Sequence, residues 1–350
     1  MRKSVFWDSY LSTYQITDDF EERLCLCEAA FATHKDNISR LINIIDPSSI
    51  AVLGSGYLND IPLANLIQKD RKVFLVDWID NVSKRGVSKK IISTAKDGTK
   101  NCLFCKKCKG ELYCKNYTGE PLVEGVCTGY EPISRPFDTC KNYSPASQPY
   151  FMKADITGGV ARHFSELVEP SVLRSKTVKQ AFSKAISITK ILKYTAMEIE
   201  TNSIDFVTSS MVLSQFNDEP YGFFSKLIQS KFGRVEILRH EEKLRPLMEQ
   251  LRSNLFLFQV ESHIKEIHRI AKKNGRPSVY LSSEIFRSIP DKKAYFLVQD
   301  MSKALELVSK YFDFSFDDDF DIDSLNKVKI GDGISINQCY ILIPKNHDEL

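Results

Sequence analysis

Two glycines and an aspartate are the residues whose types and order first indicate chemistry in this chain. Gly54-Ser55-Gly56 follows a short apolar run, and Asp77 ends the next apolar run. Glycines have no Cβ, so they let the backbone turn sharply out of a strand and let a ligand approach it closely. A carboxylate at the end of the second strand can accept hydrogen bonds from both hydroxyls of a ribose. The stretch therefore predicts a nucleoside site on a strand-helix-strand unit.

The phosphate-binding motifs of nucleotide sites do not fit the residues after this glycine turn. A dinucleotide fingerprint reads G-x-G-x-x-G, and Asn59 stands at the position of its third glycine. No G-K-S or G-K-T follows, as a P-loop would require. These departures disfavour an NAD-dependent oxidoreductase and a pyrophosphate held at the start of this helix.

Six of the nine cysteines are clustered and form a second place where residue types indicate chemistry. They are spaced C-x2-C-x2-C-x5-C-x12-C-x12-C and are Cys102, Cys105, Cys108, Cys114, Cys127 and Cys140. Two adjoining C-x2-C steps let one short loop direct three thiolates at a single centre, as iron–sulfur and zinc sites need. We expect a 4Fe-4S iron-sulfur cluster or zinc, and the triple step favours iron–sulfur. Six thiolates exceed one four-ligand site, so either two are not ligands or the centre is polynuclear.

The first stretch resembles motif I of the class I S-adenosylmethionine-dependent methyltransferases. A strand, G-x-G, a helix start at Asn59-Asp60-Ile61-Pro62, a second strand and a terminal acid stand in register. That family often has a third alternate glycine, where this chain has Leu58. In the family, the glycine turn lies under the methionine part of the cofactor, and an acid after the third strand hydrogen-bonds the adenine amino group.

The resemblance implies a cofactor and the residues that bind it. Residues 150–155 read as the third strand and end in Asp155, which would hold the adenine, while Asp77 would hold the ribose. The full predicted set is Gly54, Ser55, Gly56, Asp77, Trp78, Asp155, Ile156 and Ser210. Methyl transfer is an in-line displacement from a sulfonium, so positioning supplies much of the catalysis and a base is optional. The resemblance therefore assigns no catalytic residue and leaves the methyl acceptor open.

The interval between Asp77 and Asp155 indicates the domain organisation. In the family this interval is a few tens of residues, and here it is longer by roughly the length of the cysteine segment. We therefore predict an α/β fold: a Rossmann-like methyltransferase sheet with helices on both faces, a small Cys-rich metal-binding insertion and helical additions. The predicted bounds are an N-terminal helical segment at 1–48, the Rossmann-like domain at 49–97 and 148–350, and the insertion at 98–147.

Apolar periodicity and turn residues predict the remaining elements. Helices are expected before residue 48, with Asp36-Asn37 capping the last of them, and over 172–200, 220–274 and 301–311. Strands are expected at 204–208, 278–281, 294–298 and 339–343, with a phenylalanine alternation at 312–316.

Composition places further limits on function. With 350 residues, 40.0 kDa, 43% hydrophobic and 27% charged residues, the chain has the composition of a globular enzyme. A net charge of +3 is too small to indicate a nucleic-acid partner by itself. The lysines between the cysteines suit either a nucleic acid or the compensation of thiolate charge. No export signal and no apolar run of about 18 residues is visible, so we expect a cytoplasmic protein without membrane contact.

The histidines carry no predicted site. His263 and His268 are five residues apart and would not share a helix face, so a metal pair is not expected. His34, His163 and His240 stand alone, and a packed or solvated side chain is the expectation for each.

A second class of function stays open beside the methyltransferase. A non-catalytic or redox-sensing module would carry the iron–sulfur or zinc insertion on a degenerate Rossmann domain. Both hypotheses predict the same fold and the same metal site. They differ in whether S-adenosylmethionine binds.

Overall fold

One large sheet with helices on both faces carries the fold. The computed structural model describes residues 28–56, 58–67, 71–78, 117–118, 126–127, 149–217, 219–288, 295–296, 301–315, 320, 322, 324–330 and 333–346. The strands are β1 (Ser49–Leu53), β2 (Lys72–Asp77), β3 (Tyr117–Thr118), β4 (Val126–Cys127), β5 (Tyr150–Lys153), β6 (Phe206–Ser209), β7 (Val279–Ser288), β8 (Tyr295–Phe296), β9 (Phe312–Ser315), β10 (Leu325–Ile330) and β11 (Gly333–Pro344). The helices are α1 (Glu28–Ile45), α2 (Leu63–Ile67), α3 (Val160–Leu173), α4 (Val178–Thr189), α5 (Tyr221–Phe232), α6 (Arg234–Arg239), α7 (Glu241–Ile270) and α8 (Met301–Tyr311).

The sheet is parallel at its centre and antiparallel towards one edge. Nine of the described strands belong to it, and its main order is β10-β11-β7-β6-β1-β2-β5. β1 pairs in parallel with β2 and β6, β5 extends the sheet beyond β2, and β7 extends it beyond β6. β11 is antiparallel to both of its neighbours, β7 and β10. Compared with the dinucleotide-binding order 3-2-1-4-5-6, this sheet has an antiparallel strand between the last two positions.

Alternation along the central strands sends side chains into two buried layers. Ile50 and Val52 of β1 share one layer with Ile38 of α1. Ala51 and Leu53 of the same strand lie in the opposite layer, which α7 and α8 cover. A strand that is buried on both faces must be apolar throughout, which explains why β1 and β2 are continuous apolar runs in the sequence.

Most predicted elements are present with shifted ends. The helix predicted at 301–311 is α8, and the helical region predicted at 220–274 contains α5, α6 and α7. β6 and β7 are the strands predicted at 204–208 and 278–281, and β7 continues to Ser288. The strand predicted at 294–298 is β8, and the strand predicted at 339–343 lies within β11.

Helix α1 runs without interruption through Asp36-Asn37, so the helix cap predicted there is wrong. Asn37 is buried and lies on the same helix face as His34, Ile38 and Leu41, which are also buried. Packing of this face against the sheet therefore outweighs the local preference of two short polar residues for a helix start.

The single helical region predicted at 172–200 is also wrong in its extent. Helix α4 ends at Thr189, and residues 190–200 are not helical. This segment instead packs on a glycine turn before α3, where the N–H of Thr195 donates to the carbonyl of Gly158 at 2.7 Å. A Cβ on Gly158 would lie 2.6 Å from the Tyr194 ring, so only glycine allows this close approach.

Most of the cysteine segment lies outside the described residues. The structure describes one antiparallel strand pair there, in which Cys127 of β4 is opposite Tyr117 of β3. The other predicted ligands are outside the described ranges and are Cys102, Cys105, Cys108, Cys114 and Cys140. The described parts of the chain contain no grouping of three His, Cys, Asp or Glu residues suited to a metal ion. None of the described helices combines the length and the apolar character needed to cross a membrane.

Candidate functional site

The predicted cofactor residues lie at the carboxyl edge of the parallel strands. Gly54 follows β1 directly, Asp77 ends β2, Asp155 lies just after β5, and Ser210 follows β6. The carboxyl ends of parallel strands meet at one edge, and the strand order changes direction between β1 and β6. Open α/β sheets bind their ligands in the crevice at such a switch point. The structure thus brings these four residues to the edge where this type of sheet has its ligand crevice.

The glycine turn is held tightly against the end of β2. The N–H groups of Gly54 and Ser55 both donate to the carbonyl of Val76, at 2.9 and 3.0 Å. Gly54 has a φ of 70°, and a Cβ there would lie 2.5 Å from Cγ2 of Val212. Gly56 has a φ of 47°, and among the described residues a Cβ there would meet only the Gly54 carbonyl oxygen, at 3.9 Å. The first glycine therefore allows packing within the protein, whereas the described residues leave the space next to the second open.

Asp77 is tied directly to the glycine turn. Its Oδ2 accepts the N–H of Gly56 at 2.8 Å, and the side chain is half-buried. This bond fixes the carboxylate beside the turn, because Asp77 is the last residue of β2 and Gly56 follows the adjacent β1. The two residues predicted to contact one nucleoside are therefore in contact with each other.

Asp155 belongs to a tight turn before α3. Its Oδ1 accepts the N–H and the hydroxyl of Thr157, at 2.9 and 2.5 Å. Its Oδ2 accepts the N–H of Arg162 at 3.3 Å. Burial raises the pKa of Asp155, and the hydrogen bonds from Thr157 oppose this effect. The carboxylate is thus held in one orientation at the start of the helix.

The other predicted cofactor residues are buried. Ser55 donates from Oγ to the carbonyl of Val76 at 3.3 Å, and the Ser210 Oγ lies 3.2 Å from the Ser282 Oγ. Trp78 is 6% exposed and belongs to the buried cluster of helices α3, α4 and α5. Ile156 is 8% exposed and belongs to the layer that α7 covers. Their roles in cofactor binding stay predictions.

His263 lies beneath the edge and was not assigned a role from the sequence. Its Nδ1 is 2.7 Å from the carbonyl oxygen of Ile156, and its Nε2 is 2.8 Å from the Ser209 Oγ. A carbonyl oxygen only accepts, so Nδ1 carries the proton and Nε2 accepts the serine hydroxyl. Burial lowers the pKa of His263 to about 4, so the ring is neutral near pH 7. The sequence signal was a polar residue on the apolar face of a long helix.

A cleft of about 560 Å³ lies beside Asp155 at the β5 edge of the sheet. Its lining mixes charges of both signs and includes Lys153, Arg162, Lys193 and Glu198. Glu166 also lines the cleft, and its carboxylate lies 2.9 Å from the Nε of Arg162. One wall is the 193–198 segment, and the opposite wall is the start of α3.

Glu266 of α7 anchors the segment that forms this wall. The carboxylate is fully buried and accepts the N–H of Met197 at 3.0 Å and the hydroxyl of Tyr194. Arg269 pairs with it at 2.5 Å and also donates to the carbonyl of Ile199 at 2.7 Å. Burial raises the pKa of Tyr194, so its hydroxyl keeps the proton that it donates. The wall is therefore fixed by a buried carboxylate and its partly buried arginine, a pair that sequence reasoning missed.

A second ion pair with a buried carboxylate lies on β7, where this strand extends beyond β6. Glu284 is 4% exposed, and both of its oxygens are 2.8 Å from nitrogens of Arg287. Ser335 of β11 donates to the same carboxylate at 2.5 Å. The pairing register shifts at Ile285, so Glu284 and Arg287 reach the same face although they are three residues apart. The sequence gives no local sign of such a bulge.

Comparisons with known proteins give a small number of structural likenesses. No protein-family model matches the chain, and no curated protein sequence matches it significantly. The PH0226 protein of Pyrococcus horikoshii OT3 is similar over 96% of this chain and 99% of its own, with a TM-score of 0.35 and 9% identity. A SAM dependent methyltransferase from Aquifex aeolicus is similar over 85% of this chain and 82% of its own, with a TM-score of 0.33 and 9% identity.

Proposed function

We propose that this protein is an S-adenosylmethionine-dependent methyltransferase whose acceptor is not identified. The observation that carries the proposal is the hydrogen bond between Asp77 and the Gly56 N–H, which joins the strand-end acid to the glycine turn. The sheet order supports it, because the switch point between β1 and β6 lies at the edge where the glycine turn and Asp77 meet. A cytoplasmic location is part of the same proposal.

The residues at the edge fit an adenosine-type cofactor. The open space at Gly56 lets the methionine part pass close to the backbone, and Asp77 beside it holds the ribose. Asp155 and Ile156 form the adenine end, and Ser210 lies on the side of β6. The cofactor supplies a methyl group on a sulfonium. The protein residues orient it, and the in-line geometry accounts for much of the rate.

Replacing Asp77 tests this assignment most directly. We expect Asp77→Ala to weaken binding of S-adenosylmethionine by about tenfold to a hundredfold, because a hydrogen bond to a charged group contributes about 1.5–3 kcal/mol. Asp77→Asn keeps an acceptor for the Gly56 N–H, so it separates loss of the ribose contact from loss of the turn. Isothermal titration with metal-replete protein is the measurement.

The control for this titration is an exposed aspartate away from the edge. Asp313 on β9 is 63% exposed, so Asp313→Ala is expected to bind like the wild type. If the wild type binds no S-adenosylmethionine and the titration of Asp77→Ala is indistinguishable from it, the non-catalytic or redox-sensing module is favoured. Binding of NADH instead would favour an oxidoreductase.

The cysteine segment is proposed to bind a metal centre. Its support is the C-x2-C-x2-C spacing, which suits iron–sulfur more than a zinc ribbon. The thiolates would be kept reduced in the cytoplasm. The centre would bind a methyl acceptor or a partner, or would stabilise the fold of the segment. The lysines between the cysteines also suit contact with a nucleic acid.

Anaerobic purification followed by metal analysis tests the metal centre. We expect iron and sulfide, a brown colour and a broad visible absorption shoulder; Cys105→Ser should lose them because it removes one of three closely spaced thiolates. Cys339→Ser is the control, since this buried cysteine lies in the layer under α1. A colourless protein with stoichiometric zinc would identify the centre as zinc instead of iron–sulfur. A metal-free protein would contradict both assignments.

A further inference from the structure

Helix α7 carries a stripe of three buried polar side chains. Gln259, His263 and Glu266 are 1%, 0% and 0% exposed, and their spacing of four and three residues places them on one helix face. Val260 and Ile264 beside them belong to the apolar layer under the sheet. Buried polar groups cost free energy unless each is hydrogen-bonded. This polar stripe therefore depends on specific partners.

Each member of the polar stripe reaches a different connection of the sheet. The glutamine Nε2 donates to the carbonyl of Phe216, after β6, at 3.1 Å. The imidazole Nδ1 donates to the carbonyl of Ile156, after β5, at 2.7 Å. The glutamate accepts the N–H of Met197, before β6, at 3.0 Å. Because all three partners are main-chain groups, the polar stripe fixes the paths of the connections.

His263 is the member in contact with the predicted cofactor residues. Its ring joins Ile156, next to Asp155, to Ser209, next to Ser210. Ile156 also approaches the glycine turn, because a Cβ on Gly54 would lie 3.3 Å from its Cδ1. A shift of Ile156 would therefore disturb the turn as well as the acid. One neutral imidazole thus joins the connections after β5 and β6 beneath the edge of the sheet.

We propose that His263 is a positioning residue of the proposed cofactor site at the carboxyl edge of the parallel strands. It holds the carbonyl of Ile156 so that Asp155 and the glycine turn keep the geometry that binds S-adenosylmethionine. The carbonyl of Ile156 fixes the ring in the tautomer that has its proton on Nδ1, and Nε2 then accepts the hydroxyl of Ser209. The inference rests on the proposed function, since it assigns S-adenosylmethionine to the carboxyl edge where Gly56, Asp77 and Asp155 lie.

Two amide substitutions separate the two hydrogen bonds of the ring. Asparagine places its amide nitrogen near the position of Nδ1, so His263→Asn keeps a donor for Ile156. Glutamine places its amide near Nε2, so His263→Gln keeps only a partner for Ser209. We expect His263→Asn to bind S-adenosylmethionine within about threefold of the wild type and His263→Gln to bind about tenfold more weakly. A residue needed only for core packing would give similar losses for both.

Titration is combined with denaturant unfolding of every variant, so that affinity is compared only among folded proteins. Asn254→Ala is the control on the same helix, because its Nδ2 donates to Thr189 Oγ1 at 3.1 Å, away from the predicted cofactor residues. It should lose stability and keep its affinity. If His263→Gln does not fold, Ser209→Ala replaces it and is expected to weaken binding by about threefold to tenfold.

The outcomes separate the inference from the proposed function. Wild-type protein that binds neither S-adenosylmethionine nor S-adenosylhomocysteine contradicts both the function and the inference. Wild-type protein that binds, with folded His263→Gln of equal affinity, overturns only the positioning role. Equal losses for His263→Asn and His263→Gln overturn it too. If His263→Gln does not fold, unchanged affinity of Ser209→Ala has the same meaning.

Discussion

Arg269→Ala is expected to lower the free energy of unfolding by about 3–5 kcal/mol, because it leaves a buried carboxylate without its cation. Glu266 is fully buried, and the guanidinium of Arg269 lies 2.5 Å from it. The same guanidinium donates to the carbonyls of Ile199 and Met197, at 2.7 and 3.1 Å. Removing the guanidinium therefore also leaves these two carbonyls, in the segment before β6, with one hydrogen-bond donor fewer.

The chain offers a matched control with the same spacing on its surface. Arg239 pairs with Glu236, also three residues before it, but these side chains are 65% and 39% exposed. Exposed pairs contribute little, so Arg239→Ala is expected to change the free energy of unfolding by about 0.5 kcal/mol or less. Urea unfolding followed by circular dichroism measures both. Equal losses in the two variants would show that burial does not determine the contribution of the Glu266 pair.

The second large effect is a loss of stability in mild acid. Burial lowers the pKa of His34 and of His263 to about 4, from 6.5. A histidine whose pKa is lower in the folded state binds its proton first in the unfolded state. The contribution of these two histidines to the free energy of unfolding is therefore complete above pH 6.5 and is lost as the pH falls from 6.5 towards 4. Each histidine contributes about 3 kcal/mol over this range, with a slope of about 1.4 kcal/mol per pH unit.

Neighbouring groups do not reverse this sign. His34 faces the hydroxyl of Tyr280 at 2.8 Å and the thiol of Cys339, and both are neutral in this pH range. Glu266 raises the pKa of His263, but burial has the larger effect. The carboxyl of Asp205 does not add to the loss of stability between pH 6.5 and 4. Burial raises its pKa, but hydrogen bonds led by the one from Lys272 lower it to about 2.

Urea unfolding at pH 7.5, 6.5, 5.5 and 5.0 measures the acid effect. The wild type should lose stability steeply below pH 6.5, whereas His34→Gln and His263→Asn should each remove about half of the slope attributed to the pair. The double variant should show only the slope that carboxylates give. An unchanged slope in the double variant would mean that these histidines take up no additional proton on unfolding.

Local sequence was informative where chemistry and chain geometry coincide. The apolar runs ending in Gly54 and Asp77 predicted β1 and β2, because strands buried on both faces have no polar positions. The acid after the third strand, Asp155, was predicted from its place after an apolar run. The hydrogen bond from the Gly56 N–H to Asp77 could not be predicted from local sequence, because it forms between the ends of two adjacent strands.

The interior polar residues were missed for a physical reason. His263 and Glu266 lie on a helix face among apolar residues, and each has a main-chain partner more than sixty residues away, Ile156 and Met197. No local pattern encodes such partners. The helix cap predicted at Asp36-Asn37 failed in the opposite way, because a strong local preference was overridden by packing against the sheet. Long-range contacts therefore determine what local patterns leave open.

The position of β11 has a consequence for how the chain assembles as it is synthesised. β11 follows every other described strand in sequence, yet it lies between β7 and β10 and contributes Ile341 to the layer under α1. Until this strand emerges, a nascent chain exposes the unpaired edge of β7, and exposed strand edges promote association between chains. Completion of this sheet therefore awaits β11, and a product that stalls before this strand is expected to be a client of chaperones.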